Sequence, residues 1–197
     1  MCSTILLIGP LCAGKSTVGQ LLAGRLDLPY CSVDTLPLEY YTKLGLDMQR
    51  IEMMRETQGW LAAYHYMLEF GVRVVEQLLA EQRRRVIDFG APYSTYEDDS
   101  LLERVKKAFA PYRNVVLLLP SPDLDESTKI LKQRMADRAG HTKLRRWLTG
   151  LRAETGVDYE ALYVKHHSNF QLAQVVIYTE GKSPEQTRDE IIEILNL

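Results

Sequence analysis

The 197-residue sequence predicts an α/β fold, with three layers (α/β/α) built on a five-stranded parallel sheet. One observation is a set of five short apolar runs, at Ile5-Leu6-Leu7-Ile8, Tyr30-Cys31-Ser32-Val33, Val86-Ile87-Asp88-Phe89, Val115-Val116-Leu117-Leu118-Leu119 and Val175-Val176-Ile177-Tyr178. Runs of this length without apolar/polar alternation are what parallel strands buried on both faces look like. A second is that helix-forming stretches separate every pair of runs, which places helices on both faces of the sheet. The third is Gly9-Pro10-Leu11-Cys12-Ala13-Gly14-Lys15-Ser16-Thr17, which follows the first run at once and fits G-x-x-x-x-G-K-[ST] without a mismatch.

That third segment needs its glycines so that the backbone curls and successive N–H groups face phosphate oxygens. On this reading Gly9, Cys12, Ala13, Gly14, Lys15, Ser16 and Thr17 hold a nucleoside triphosphate. Lys15 reaches the β- and γ-phosphates and the Ser16 hydroxyl is placed for Mg²⁺. A helix starting near Lys15, with Val18, Leu21, Leu22 and Leu26 along one face, adds the positive end of its dipole. A mere glycine turn would match the pattern in about one chain in a hundred of this length. Here strand, loop and helix also stand in the required order.

Asp27-Leu28-Pro29 turns the chain into the second strand, which ends at Asp34. Ligands bind at the carboxyl edge of open α/β sheets, so Asp34 is a candidate substrate contact or general base; its alternative role is to cap the next helix, near Pro37. Residues 36–83 read as two or three inserted helices, punctuated by Gly45, Gly59 and Gly71, with the aromatic stretch Trp60 to Phe70 as core stripe or pocket wall. The third strand ends at Asp88, a candidate Mg²⁺ carboxylate, and Gly90 after it allows a ligand to approach the backbone. A charged helix is expected from Tyr96 to Phe109. Ser121-Pro122-Asp123 opens another, with Asp123 and Glu126 as a capping pair. Ser183-Pro184-Glu185-Gln186 starts the last helix, which turns Ile191, Ile194 and Leu195 inward.

Between Lys129 and Arg152 eight basic residues face one acid, Asp137. With a triphosphate site in the same chain, this density reads as a helical lid over phosphates, about residues 134–152, with Gly140 and Gly150 as its hinges. The chain as a whole is not basic: its net charge is −2, with 25% charged and 46% hydrophobic residues, so no nucleic-acid or membrane partner is expected. One domain spanning 1–197 accounts for the length. Cys2, Cys12 and Cys31 form no metal-ligand spacing and suit a reducing compartment, and no signal or spanning segment is read, so the expected location is cytoplasmic.

The order of these pieces resembles the shikimate kinase and nucleoside-monophosphate kinase group of small P-loop kinases over nearly the whole chain. The most specific part is residues 5–34, where Gly14-Lys15-Ser16-Thr17-Val18-Gly19, Leu21-Leu22-Ala23, Leu26 and Asp34 follow the shikimate kinase pattern. The resemblance implies ATP and Mg²⁺ as cofactors, adenine contacts near Arg134, and a catalytic lid arginine at Arg138, Arg145 or Arg146. Three positions depart from that pattern. Ser32 replaces the first acid of Asp-x-Asp, Phe89-Gly90-Ala91 replaces a glycine triplet, and Tyr66 stands where an acceptor-binding arginine is expected. The expected activity is therefore ATP-dependent phosphoryl transfer to a small hydroxylated metabolite other than shikimate, with Lys15, Asp34 and Arg138 catalytic and Asp34, Tyr66 and Gly90 at the acceptor. The alternatives are a nucleoside or nucleotide acceptor and, in another class, an ATP-binding regulator with little turnover.

Overall fold

A computed structural model describes residues 4–81, 83–137 and 142–197, with the side chains of 142–145 outside that description. The five strands are β1 (Ile5–Ile8), β2 (Tyr30–Ser32), β3 (Val86–Asp88), β4 (Val115–Leu119) and β5 (Val175–Tyr178). They form one sheet in the order β2-β3-β1-β4-β5, and every pairing is parallel. All four residues of β1 are 0% exposed, because the strand is flanked by β3 and β4 and covered on both faces. Burying each such Ile or Leu is worth about 1.5–3 kcal/mol, which anchors the phosphate loop to the most stable part of the sheet.

Ten α-helices are described: α1 (Lys15–Leu26), α2 (Leu38–Lys43), α3 (Met48–Gln58), α4 (Trp60–Glu81), α5 (Asp99–Phe109), α6 (Leu124–Asp137), α7 (Thr142–Thr155), α8 (Tyr159–Lys165), α9 (His167–Leu172) and α10 (Pro184–Leu195). Of the two capping pairs read from the sequence, that of α10 forms in full, whereas at α6 only Asp123 caps, because the Asp123 N–H donates to Ser121 Oγ and the Glu126 side chain pairs with Lys129. Asp123 Oδ1 accepts the N–H groups of Asp125 and Glu126, and Ser183 with Gln186 makes a reciprocal capping box. Residues 36–83 make three helices. Gly45 and Gly59 lie at the breaks, whereas Gly71 sits inside the 22-residue α4.

Four expectations are corrected. The second strand stops at Ser32, and Asp34 lies in a 3-10 turn spanning Val33–Thr35. It caps no helix there, since α2 has Pro37 at its N-cap. The charged helix begins at Asp99, because Asp98 caps it through the N–H groups of Ser100 and Leu101, and Tyr96 is packed away at 1% exposure. Ile194 is 46% exposed, and Ile192 packs against the core in its place.

The basic stretch also differs from its reading. Its positive charge is partly balanced from outside the segment: Lys129 pairs with Glu126, Lys132 with Asp158, and Arg134 with Glu180. Gly150 stands in the middle of α7, where a Cβ would come within 2.3 Å of the Trp60 ring, so it is a packing contact rather than a hinge. Glu154 of α7 accepts the N–H of Trp60 at 2.6 Å and that of Leu61 at 3.3 Å, supplying the cap that α4 needs. Trp60 and Trp147 meet edge to face with centroids 5.0 Å apart. Arg138 and Gly140 lie outside the described residues.

Two glycine substitutions are expected to act in opposite directions. Gly9 has φ +131°, and a Cβ there would meet the Leu118 carbonyl oxygen at 2.6 Å. Gly9→Ala is expected to destabilise the fold by about 2 kcal/mol or more. Gly24, in α1 with nothing within 4 Å of a built Cβ, is expected to gain about 0.5–1 kcal/mol on change to Ala. Urea unfolding of both variants tests the pair, and equal effects would remove the close approach from the account.

Candidate active site

The phosphate loop leaves β1 and enters α1 through two left-handed positions, Cys12 at φ 61° and Gly14 at φ 95°. Gly14 is the N-cap of α1 and offers no side chain to its first N–H groups, and the first turn carries no acid. These donors therefore face outward for an anion. Lys15 is 7% exposed, and its Nζ donates to the carbonyl oxygens of Gly9 at 2.9 Å and Pro10 at 2.8 Å. Burial holds its ammonium below the ordinary lysine value, opposed by the charges of Asp88 and Asp34. Cys12 packs between the main core and a second core formed by α4, α6, α7 and α8.

Asp88, the last residue of β3, is 1% exposed. Its Oδ2 accepts from Ser16 Oγ at 2.6 Å and from the Tyr30 hydroxyl at 3.1 Å, while its buried Oδ1 has no hydrogen-bond partner. A hydroxyl and a carboxylate with an unpartnered oxygen form a hard oxygen donor set, which fits Mg²⁺ completed by phosphate oxygens and water. The loop and its helix terminus likewise fit a polyphosphate. The sequence reading missed Tyr30. Its signal was Gly19 in the interior of α1, where a Cβ would stand 2.7 Å from the Tyr30 ring.

Beside the loop lies a cavity of about 420 Å³. Leu11 from the loop, Asp34 from the turn after β2, and Gly90 and Ala91 from the turn after β3 bring three strand ends to it. Helices α2 and α4 supply Tyr41, Tyr64, Met67 and Phe70, and Tyr93 closes the wall. Gly90 lines the cavity, and the space its Cβ would fill is taken by the Asp34 carboxylate, with Oδ1 at 2.5 Å.

Tyr66, Arg134 and Arg146 lie elsewhere. Tyr66 is not among the cavity-lining residues; it packs against Phe70 at 4.8 Å, with the Arg50 guanidinium over its ring at 4.9 Å. Arg134 donates to Glu180 at 3.0 Å. Among the three candidate lid arginines, only Arg146 has a described side chain, and it shares a groove with Glu52, Arg55, Trp60 and Trp147. His166, which caps α9 and stacks on His167 at 4.5 Å, does not line the cavity either. No described helix is long and apolar enough to cross a membrane.

The contact between Tyr30 and Asp88 carries a pH signature. Burial first, and then the Asp88 charge, push the Tyr30 phenol from its ordinary 10.0 up to about 12. The folded chain thus favours the protonated phenol, and that contribution is whole below pH 10 and lost as pH rises to about 12. The stability advantage of wild type over Tyr30→Phe is expected to shrink across this window in urea unfolding. A constant advantage would remove Tyr30 from the Asp88 contact.

No protein-family model matches the chain, and no curated protein matches it. Among solved structures it is similar to shikimate kinase from Acinetobacter baumannii in complex with shikimate, at 23% identity and TM-score 0.53, over 100% of this chain and 92% of that one. It is also similar to shikimate kinase from Aquifex aeolicus vf5, at 22% identity and TM-score 0.50, over 98% and 96% of the two chains. A sugar kinase from Janibacter sp. HTCC2649 matches at 13% identity and TM-score 0.51, over 100% and 95%. Likeness at these identities is likeness of fold, and by strand order, phosphate loop and overall superposition the chain has the fold of the small P-loop kinases.

Proposed function

We propose that the protein is an ATP-dependent kinase that transfers the γ-phosphoryl group to a hydroxyl of a small molecule. The observation that carries this reading is the junction at Leu11, where the phosphate loop forms one wall of the cavity that Asp34 also lines. A triphosphate on the loop and an acceptor in the cavity would be neighbours, which is the requirement for direct transfer.

In this reading the loop N–H groups and the N-terminus of α1 hold the phosphates. Lys15 gives up its two loop carbonyls for phosphate oxygens and neutralises charge that develops on transfer. Ser16 and Asp88 hold Mg²⁺, which when bound supplies charge neutralisation at the phosphates. Asp34 orients the acceptor hydroxyl and receives its proton. Cationic residues of the 134–152 segment complete the phosphate side, with Arg138 the candidate for catalysis.

Two measurements test this. Lys15→Ala is expected to lower acceptor-stimulated ADP release by about 10²–10³-fold or more, the usual effect of losing a positioned electrostatic group, while circular dichroism stays that of wild type. Wild-type turnover in the folded variant would refute the loop assignment, and ADP release indifferent to every acceptor would favour a regulatory ATP binder. Asp88→Asn is expected to shift the Mg²⁺ titration of nucleotide binding to higher concentration while metal-free binding changes less, and an unchanged Mg²⁺ titration would exclude Asp88 from the metal site.

A further inference from the structure

We propose that Tyr30 is a positioning residue for the metal site, holding the Asp88 carboxylate in one orientation and so favouring Mg²⁺ over a larger, less exacting cation such as Ca²⁺; this rests on the kinase reading, which gives Ser16 and Asp88 to the metal. The placement of Tyr30 follows from register and spacing. Strands β2 and β3 are parallel, with Tyr30 opposite Val86 and Ser32 opposite Asp88. Residues two apart on a strand share a face, so Tyr30, Ser32 and Asp88 lie on one side of the sheet.

Helix α1 covers that side. Ser16 and Gly19 stand three residues apart in it and so share a face. Ser16 brings a hydroxyl to Asp88 Oδ2 at 2.6 Å, whereas Gly19 leaves a gap that the Tyr30 ring uses, since a Cβ there would stand 2.7 Å from Tyr30 Cε2. With its ring seated in that gap, Tyr30 donates its hydroxyl to the same Oδ2 at 3.1 Å, and the Ser16 and Ser32 hydroxyls lie beside it.

Donors from two elements on one oxygen make the two oxygens of the carboxylate unequal. A carboxylate held by one donor can still turn about its Cβ–Cγ bond. Here Ser16 from α1 and Tyr30 from β2 both engage Oδ2, and Oδ1, buried and without a hydrogen-bond partner, is the oxygen left for a cation. Ser16 is itself given to the metal and Tyr30 is not, so the hold of Tyr30 on Asp88 is the one independent of the cation. Outer-shell partners of this kind orient metal-binding carboxylates, and losing one costs about 10–100-fold in metal affinity. Orientation matters most to Mg²⁺, which demands near-octahedral geometry, whereas Ca²⁺ accepts carboxylates in flexible shells.

The test is calorimetric titration of the β,γ-imido analogue of ATP into the full chain with Mg²⁺, with Ca²⁺ and with a chelator. Tyr30→Phe keeps the ring and removes the hydroxyl. It is expected to weaken binding with Mg²⁺ by about tenfold or more and with Ca²⁺ by less than about threefold, while binding with the chelator stays within about twofold. Gly19→Ala, which displaces the ring instead of removing its hydroxyl, is expected to give the same selective loss. Equal losses with Mg²⁺ and Ca²⁺ in Tyr30→Phe overturn the inference, as does Mg²⁺-dependent binding that Tyr30→Phe leaves unmoved while Asp88→Asn weakens it. Mg²⁺-dependent binding unmoved in both variants removes the metal assignment along with it. The kinase reading fails separately: the three titrations divide as expected, but no acceptor stimulates ADP release that depends on Lys15.

Discussion

The site is built on two opposite charges taken out of water and not joined to each other. Among the described residues, Lys15 at 7% exposure bonds two loop carbonyls, and Asp88 at 1% exposure keeps one oxygen without a partner. Buried charges are costly unless paired, and a direct ion pair between these two would settle the cost internally. Instead the loop holds them apart, so that a polyanion is the complement of one and a divalent cation the complement of the other. The stability of β1, β3 and β4, completely buried in the centre of the sheet, is what allows the arrangement to persist with its charges only partly satisfied.

The strands, the loop and the caps of α6 and α10 were legible because each is fixed by local chemistry: a fully buried apolar run, a glycine-dependent turn, or a side-chain oxygen two or three residues before an open N–H. Asp34 and Asp88 were legible as positions because both end apolar runs, and strand ends of a parallel sheet converge. What escaped depended on partners far along the chain. Tyr96 carries a helix-compatible sequence around it, yet it is buried, with its N–H donating to Ser168 Oγ at 3.2 Å, and the helix waits for Asp98. The basic run from Lys129 to Arg152 looked unopposed because Asp158 and Glu180 lie beyond it in sequence. Tyr93 and Tyr41 gave no signal at all, since neither stands in a periodic pattern.

Glycine misled in a characteristic way. A glycine inside a helical stretch reads as a break or hinge, but Gly71 and Gly150 sit within continuous helices, as does Gly19, which was expected inside one. Each admits an aromatic ring: Tyr30 against Gly19, Tyr93 against Gly71 and Trp60 against Gly150. Three such contacts tie the elements of the site together: α1 to β2, α4 to the turn after β3, and α7 to the start of α4.

The last of these links the basic segment to the cavity wall. Helix α7 belongs to the basic segment, while α4 walls the cavity beside the loop. They are joined by Glu154 at the N-terminus of α4, by the Trp60–Trp147 contact, and by Leu148 and Leu151, which are 5% and 1% exposed. Buried leucines in contact with α4 through a shared core resist independent motion, because separating them would expose apolar surface at about 25 cal/mol per Å². Any rearrangement that carries α7 towards the phosphates must therefore carry α4 or break this packing. In the first case Met67 and Phe70 move with it, so occupancy of the cavity and the position of the basic segment become one equilibrium rather than two.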